Sequence, residues 1–279
     1  MTKPVRARAR PAPTAKTAAG DKNRILTYQK MVDVLGCFST VHRHLSLAQI
    51  AQATTLPRAT THRILTALRE VGFIEQDSRG ASYSLGVRLF ELGSLALANM
   101  DLHREAKPYA DRLARLVEEA VHLGVFNGQA IVVVEREDHT ERPSRVASSV
   151  LETAPAYCTG LGKAVLAFQD KAIVERVVAN GLKPYTATTI TSGTALEREL
   201  ARIRRQGYST DKGEHQLFVN CVAAPIRNGS GRVFAAISVT GSAARITEDR
   251  VPVLSGLVIE TANAISRHLG YADAAATPG

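Results

Sequence analysis

The side chains best suited to chemistry gather in the C-terminal half of the chain. Cys221 opens the strand-like run NCVAAPI, Asp211 ends the strand-like run before it, and Ser238 and Thr240 alternate along AAISVT. A spacing of two puts Ser238 and Thr240 on the same face of a strand. Upstream, Thr159-Gly160-Leu161-Gly162-Lys163-Ala164 reads as a helix start. Its glycines expose backbone N–H groups, and a helix start attracts anions. It lacks the Gly-x-x-x-x-Gly-Lys-Ser/Thr frame of a nucleotide-phosphate loop, and a tight structural turn is the plainer reading of the glycines alone. Asp, Cys, Ser and Thr around such a start supply donors and acceptors for a small polar acid. Cys221 with His215 or His122 as base would instead make a thiol nucleophile. Against that, no third group is placed to orient either histidine, and a lone cysteine in an apolar strand is ordinarily a packing residue. His215, in GEHQ, has no metal-ligand spacing around it. The expectation is a binding site, with no catalytic residue, no metal and no cofactor.

A second constellation lies in residues 46–86, SLAQIAQATTLPRATTHRILTALREVGFIEQDSRGASYSLG. Ser46 and Gln49 form a capping-box pair. Leu47, Ile50 and Ala51 make an apolar stripe, Thr54-Thr55-Leu56 a turn, and Pro57 suits the first position of the next helix. Ile64, Leu65, Leu68 and Val71 recur at helical spacing, and Gly72 ends that helix. Phe73–Gln76 and Ser82–Leu85 alternate as strands around Asp77-Ser78-Arg79-Gly80, a wing tip. Helix, turn, helix and wing in this order read as a winged helix-turn-helix, a size that fits a DNA major groove. The DNA-contacting set expected is Ser46, Arg58, Thr60, Thr61, His62 and Arg63, with Arg79 on the wing. Arginine grips guanine edges, and threonine bonds phosphate or packs on a thymine methyl.

The elements that hold these two sets follow from pattern and charge. The chain has 279 residues, 45% of them apolar, and a formal charge of +9, enough for two domains and suited to an anionic partner. Residues 1–24 carry seven basic residues against Asp21 alone, so +6 of the charge sits in a Pro-, Ala- and Thr-rich tail that reads as disordered. The tail has no apolar h-region of a secretory signal, and no apolar run approaches the ~18 residues of a membrane helix. Three cysteines, Cys37, Cys158 and Cys221, match no zinc spacing, so the chain reads as cytoplasmic and reduced. The organisation expected is a basic tail over 1–23, a winged domain over 24–86, an apolar linker helix over 87–101, an α+β domain over 102–270 and a short tail over 271–279. The first helix, 24–38, has Ile25, Leu26, Met31, Val34 and Leu35 on one side. The linker, VRLFELGSLALANM, calls for a second copy of itself as partner. A helix over 102–120 buries Leu113, Leu116 and Val117. Strands follow at 121–126, 130–137 and about 144–150, then helices at about 160–168, 170–179 and 195–206. Strands return at 207–211, 220–227 and 232–240 before a last helix at about 248–269. The fold class is α+β, an antiparallel sheet with flanking helices.

At LPRATTHRILTALREVGFIEQ, TGLGKAVLA, RRQGYSTDKGEHQL, CVAAPI and AAISVTGSAARITEDR, the chain resembles the IclR family of bacterial transcriptional regulators, over about residues 24–270. Those segments are nearest to the glyoxylate-bypass branch, and the linker YSLGVRLFELGSLALANMDL is equally near to the 2-keto-3-deoxygluconate branch. The resemblance implies a winged helix, a linker helix and a GAF-like effector domain. It implies homodimers that often pair into tetramers on palindromic double-stranded operators, and a small organic acid that changes DNA affinity. It places the effector pocket on Val146, Ala154, Gly160, Leu161, Asp211, Cys221, Ser238 and Thr240, next to Gly162 of the glycine turn. Ala154, Leu161 and Thr240 depart from the glyoxylate branch, and Phe218 stands where glycine is usual, so an acid other than glyoxylate is expected. The protein is therefore read as a ligand-responsive regulator, cytoplasmic and nucleoid-associated when bound to DNA. The alternatives are a constitutive DNA binder whose C-terminal domain only dimerises, and a Cys221-dependent enzyme with a DNA-binding appendage.

Overall fold

The computed structural model describes residues 26–39, 41–78, 80–98, 101–139 and 152–272. The basic tail, Arg79, Val146, the strand expected near 144–150 and most of the C-terminal tail lie outside those residues. The chain divides into two compact units between Ala96 and Leu97.

The first unit holds α1 (26–35), α2 (Leu47–Thr54), α3 (Arg58–Glu70), the hairpin β1 (Ile74–Gln76) and β2 (Tyr83–Leu85), and most of α4 (Val87–Ala98). Ser46 caps α2 as a full capping box: its Oγ accepts from the Gln49 N–H at 3.3 Å, and the Gln49 Oε1 accepts from the Ser46 N–H at 2.9 Å. Thr55 closes α2 in the left-handed region at φ 56°. Pro57 is the N-cap of α3 rather than its first residue. Its ψ of 140° is extended, while its carbonyl already accepts the Thr61 N–H at 3.0 Å, which defines a cap. Val34, Leu45, Ile50, Leu65, Leu68 and Ile74 form the core. Two apolar residues read as inward-facing are not. Leu26 is exposed at the start of α1, and Val71 is exposed because α3 stops at Glu70 and the chain turns away through Gly72 at φ 75°. The wing pairs Ile74 with Leu85 and Gln76 with Tyr83. Tyr83 also exchanges backbone hydrogen bonds with Leu45 at 2.9 and 3.0 Å, which ties the wing to the start of α2. On α4, Val87, Phe90, Leu92 and Leu95 face solvent.

The second unit opens with α5 (Asp101–Val117), β3 (Ala120–Phe126), β4 (Ala130–Glu137) and β5 (Thr153–Pro155). Then come α6 (Gly160–Leu166), α7 (Lys171–Ala179), α8 (Gly193–Gln206), β6 (Ser209–Lys212), β7 (Val219–Arg227), β8 (Val233–Ser242), a 3₁₀ turn at Glu248–Arg250 and α9 (Val251–His268). The six strands form one antiparallel sheet in the order β5-β4-β3-β8-β7-β6. The Asn127-Gly128 hairpin and the Asn228–Gly231 turn join strands as their composition predicts. Alternation decides the faces. Val121, Leu123, Val222, Ile226, Ile237 and Val239 pack with α5 and α9, whereas Ile131, Val133, Ala223 and Ala236 pack with Leu161, Ala164 and Val165 of α6. Behind α6, Leu166 meets Val174 and Val177 of α7 and Leu196, Leu200 and Ile203 of α8. Leu116 was expected inside, yet it is exposed. The buried stripe of α5 runs through Leu102, Ala106, Ala110, Leu113 and Val117, and Leu116 sits one position off it.

Gly162 sits where α6 crosses the chain entering it: a Cβ there would lie 2.4 Å from the Cα and O of Ala156. Backbone cannot move aside as a side chain does, so Gly162→Ala is expected to cost about 1–3 kcal/mol. Gly256, mid-helix in α9 with open space around it, is the control. Gly256→Ala should stabilise by roughly 1 kcal/mol through helix propensity. Urea midpoints check both, and a Gly162→Ala variant as stable as the wild type contradicts the close approach.

Candidate functional site

The start of α3 presents Arg58, His62 and Arg63 to solvent, with Thr60 half-buried. Thr61 is a correction: it is fully buried, and its hydroxyl donates to the Pro57 carbonyl at 3.2 Å. Positions 61, 64, 65 and 68 share one helical stripe, so Thr61 belongs with Ile64, Leu65 and Leu68. Ser46 is half-buried, with its hydroxyl spent on Gln49.

In the second unit the strand register builds the pocket. Asp211 stands opposite Cys221, and Cys221 opposite Thr240, so the three make one row across β6, β7 and β8. Ser238 stands opposite His122 of β3. The row is hydrogen-bonded: Thr240 Oγ1 donates to Cys221 Sγ at 3.2 Å and lies 3.2 Å from His122 Nδ1 and 3.3 Å from Ser238 Oγ. Over it opens a cavity of about 570 Å³ including its mouth, walled also by Ala154, Leu161, Val133, Thr159, His215 and Glu152. Gly160 lets α6 begin against β7, since a Cβ there would stand 3.0 Å from that of Cys221. The N–H groups of Gly160 and Leu161 meet no acceptor among the described residues. Gly162 corrects the expectation. Its N–H donates to Thr159 Oγ1 at 3.1 Å, and its Cα is pressed on Ala156, so it serves the fold and not the cavity. Ala154, Leu161, Asp211, Cys221, Ser238 and Thr240 thus come together, with Gly160 at their edge. Val133, Glu152, Thr159, Gln216 and Val219 were missed, and His122 and His215 were weighed only as bases or a metal ligand.

Burial sets the charges. Asp211 is pushed up to about 7 by desolvation, against the pull of Lys163 and of the Glu214 N–H that its Oδ1 accepts at 2.7 Å. Desolvation drives His122 down to about 4 and lowers His215. The Cys221 thiol is raised far above its usual value by burial and by Asp211, so it is not a ready nucleophile. Lys163 lies beneath the cavity, 1% exposed, paired with Glu214 and 3.8 Å from Glu199. No Lys or Arg lines this cavity among the described residues. The described His, Cys and acidic side chains gather at metal-like spacing at Asp111, Glu137 and His139. There Arg115 and Lys107 already hold the carboxylates, and His215 has no part in the group.

Opposite proton linkages follow. His122 is neutral in the fold, so the unfolded chain takes its proton first, and stability is lost as pH falls from about 6.5 to about 4. Asp211 is raised, so the folded chain takes its proton first, and stability is gained as pH falls from about 7 to about 3.8. Relative to the wild type between pH 7 and pH 5, Asp211→Asn should lose stability and His122→Asn should gain it, each by on the order of 2 kcal/mol. Urea unfolding at each pH measures this. A His122→Asn variant that falls in parallel with the wild type rules out the buried neutral imidazole.

Known proteins share this architecture. Residues 94–267 match the bacterial transcriptional regulator IclR C-terminal family, and residues 27–78 match the IclR helix-turn-helix domain. The chain is 34% identical over 270 residues to the HTH-type transcriptional repressor AllR of Salmonella typhi, covering 95% of this chain and 97% of that one. It is 32% identical over 232 residues to the HTH-type transcriptional regulator KdgR of Escherichia coli, covering 83% and 88%. The crystal structure of an IclR homolog from Microbacterium hydrocarbonoxydans complexed with 4-hydroxybenzoate superposes with a TM-score of 0.67 at 28% identity, covering 87% of this chain and 99% of that one. With both domains matched in order and relatives a third identical along nearly their whole length, this chain belongs to the IclR family of bacterial transcriptional regulators.

Proposed function

We propose that this protein is a cytoplasmic, ligand-responsive DNA-binding regulator whose second unit takes a small organic acid and thereby changes its affinity for a palindromic operator. One observation carries the reading. A cavity floored by Asp211, Cys221, Thr240 and Ser238, beside the free N–H groups of Gly160 and Leu161, sits in the same chain as a winged helix-turn-helix. The acid group goes to those N–H groups, and hydroxyl or carbonyl groups go to the row. The homolog that binds 4-hydroxybenzoate supports an acid of modest size. The likeness to the glyoxylate-bypass and 2-keto-3-deoxygluconate branches makes keto and hydroxy acids the first probes. The protein performs no chemistry, since Cys221 is a protonated acceptor of the Thr240 hydroxyl. It works as a homodimer or a pair of dimers through the exposed apolar residues of α4, of which Phe90 and Leu95 are 71% and 59% exposed. Arg58, Thr60, His62 and Arg63 read the operator, and the acid shifts affinity through a coupling of ~1–3 kcal/mol.

Arg63→Ala should weaken binding to a DNA fragment selected from a random pool by about 1–3 kcal/mol, as measured by fluorescence anisotropy at fixed salt. Thr61→Ala should lower the melting temperature through the core. Unchanged affinity in both Arg58→Ala and Arg63→Ala sinks the recognition-helix assignment.

An acid at a hundred times its dissociation constant should stabilise the protein by ~2.7 kcal/mol, a clear thermal shift. Ser238→Ala and Asp211→Asn should reduce that shift. A panel of hydroxy, keto and aromatic acids that moves neither melting nor DNA affinity favours the constitutive binder, and turnover lost in Cys221→Ala favours the enzyme.

A further inference from the structure

A second space adjoins the cavity over the Asp211–Cys221–Thr240 row at Glu152 and His215. Both residues, with Ala154, wall it too, and its volume is about 950 Å³ including its open mouth. This outer chamber is bounded by Tyr157, Tyr185 and Lys183, among others. Its wall is braced. Thr186 and Thr189 donate from the loop after α7 to the carbonyls of Gly213 and Glu214, at 2.7 and 2.6 Å. Tyr157 donates its hydroxyl to the Lys183 carbonyl at 2.7 Å, and Tyr185 sets its ring edge-on to His215 with centroids 4.9 Å apart. The Lys183 ammonium lies 5.5 Å from the Tyr185 ring centroid and makes no ion pair among the described residues.

The charge pattern along the two chambers is one-directional. The inner one has neutral donors, the free N–H groups at the start of α6 and the buried Asp211, and its nearest lysine is spent on Glu214. Glu152 stands at the shared wall, and among the described residues lining either chamber the single Lys or Arg is Lys183. Lys183 is exposed, with the Tyr185 ring but no ion pair beside it among the described residues. We infer that the site takes a hydroxylated acid with a second anionic group at its far end, and that Lys183 is the residue that selects for it. One acid group meets Gly160 and Leu161, hydroxyls along the chain donate to Asp211 and Glu152, and the far anionic group reaches Lys183 past the edge of His215. This rests on the acid-pocket reading above and adds a second subsite to it.

Two six-carbon acids of the same configuration at C2–C5 isolate the second charge: gluconate carries one carboxylate and glucarate two. Calorimetry on the full chain should show glucarate binding about fivefold tighter than gluconate, the worth of one solvent-exposed ion pair. Lys183→Gln should abolish that gap while leaving gluconate affinity unchanged, and Lys183→Arg should keep the gap. Equal affinities on the wild type, a gap that survives Lys183→Gln, or no binding of either acid overturns the role of Lys183. The acid pocket itself is judged separately. A thermal shift with glycolate that Ser238→Ala abolishes leaves that reading standing when the Lys183 arm fails, and its absence removes both.

Discussion

The second unit depends on the register of four strands. Asp211, Cys221 and Thr240 face one another only because β6, β7 and β8 pair as they do, and His122 reaches the row only because β3 sets it opposite Ser238. Side chains alternate along a strand, so a slip of one residue would turn Cys221 and Thr240 into the apolar layer under α5 and α9 and bring Val222 and Val239 into the cavity. The register is held because the opposite face is mostly apolar. Val222, Ala224, Ile226, Ile237 and Val239 are all buried against those helices, and exchanging them for the polar set would bury unpaired hydroxyl, imidazole and carboxyl groups. The specificity of the pocket is thus enforced by the core behind it.

A buried charge network lies under the pocket. Lys163 on α6 pairs with Glu214, Glu199 pairs with Arg202 at 2.7 Å, and Asp211 accepts the Glu214 N–H. Such pairs add little net stability, because desolvation offsets attraction, but breaking one leaves a costly lone charge. Here the Lys163–Glu214 pair ties α6 to the turn after β6. It also removes Lys163 from the lining, which is why the start of α6 offers N–H groups but no cation.

How much was legible from sequence divides along local and non-local lines. The capping box at Ser46, the stop at Gly72, the two Asn-Gly turns and the alternation of Ser238 with Thr240 are encoded within a few residues, and each was readable. Thr61 and Leu116 were misplaced in helical phase, where the pattern alone tolerates either, and Val71 was misplaced because α3 stops one residue before it. Gly162 shows a different limit. Glycine at a helix start serves equally to bare an N–H group or to let two backbones touch, and only the 2.4 Å approach of Ala156 decides between them. His122 and Glu152 enter the site through strand pairing and chain crossing, which leave no trace in spacing.

The same geometry constrains any account of how a ligand is felt at DNA. A ligand shifts an equilibrium only by its difference in affinity for the two states, so it must touch an element that both states share but place differently. β3 joins the cavity to the core within the second unit. His122 faces the cavity, while Val121 and Leu123 on its other side are packed in the layer that holds α5. A strand that is one wall of the pocket is therefore one wall of the core under α5, which follows α4 in the chain. Close packing transmits displacement instead of absorbing it. A ligand that moves His122 therefore acts on the seat of α5 through β3.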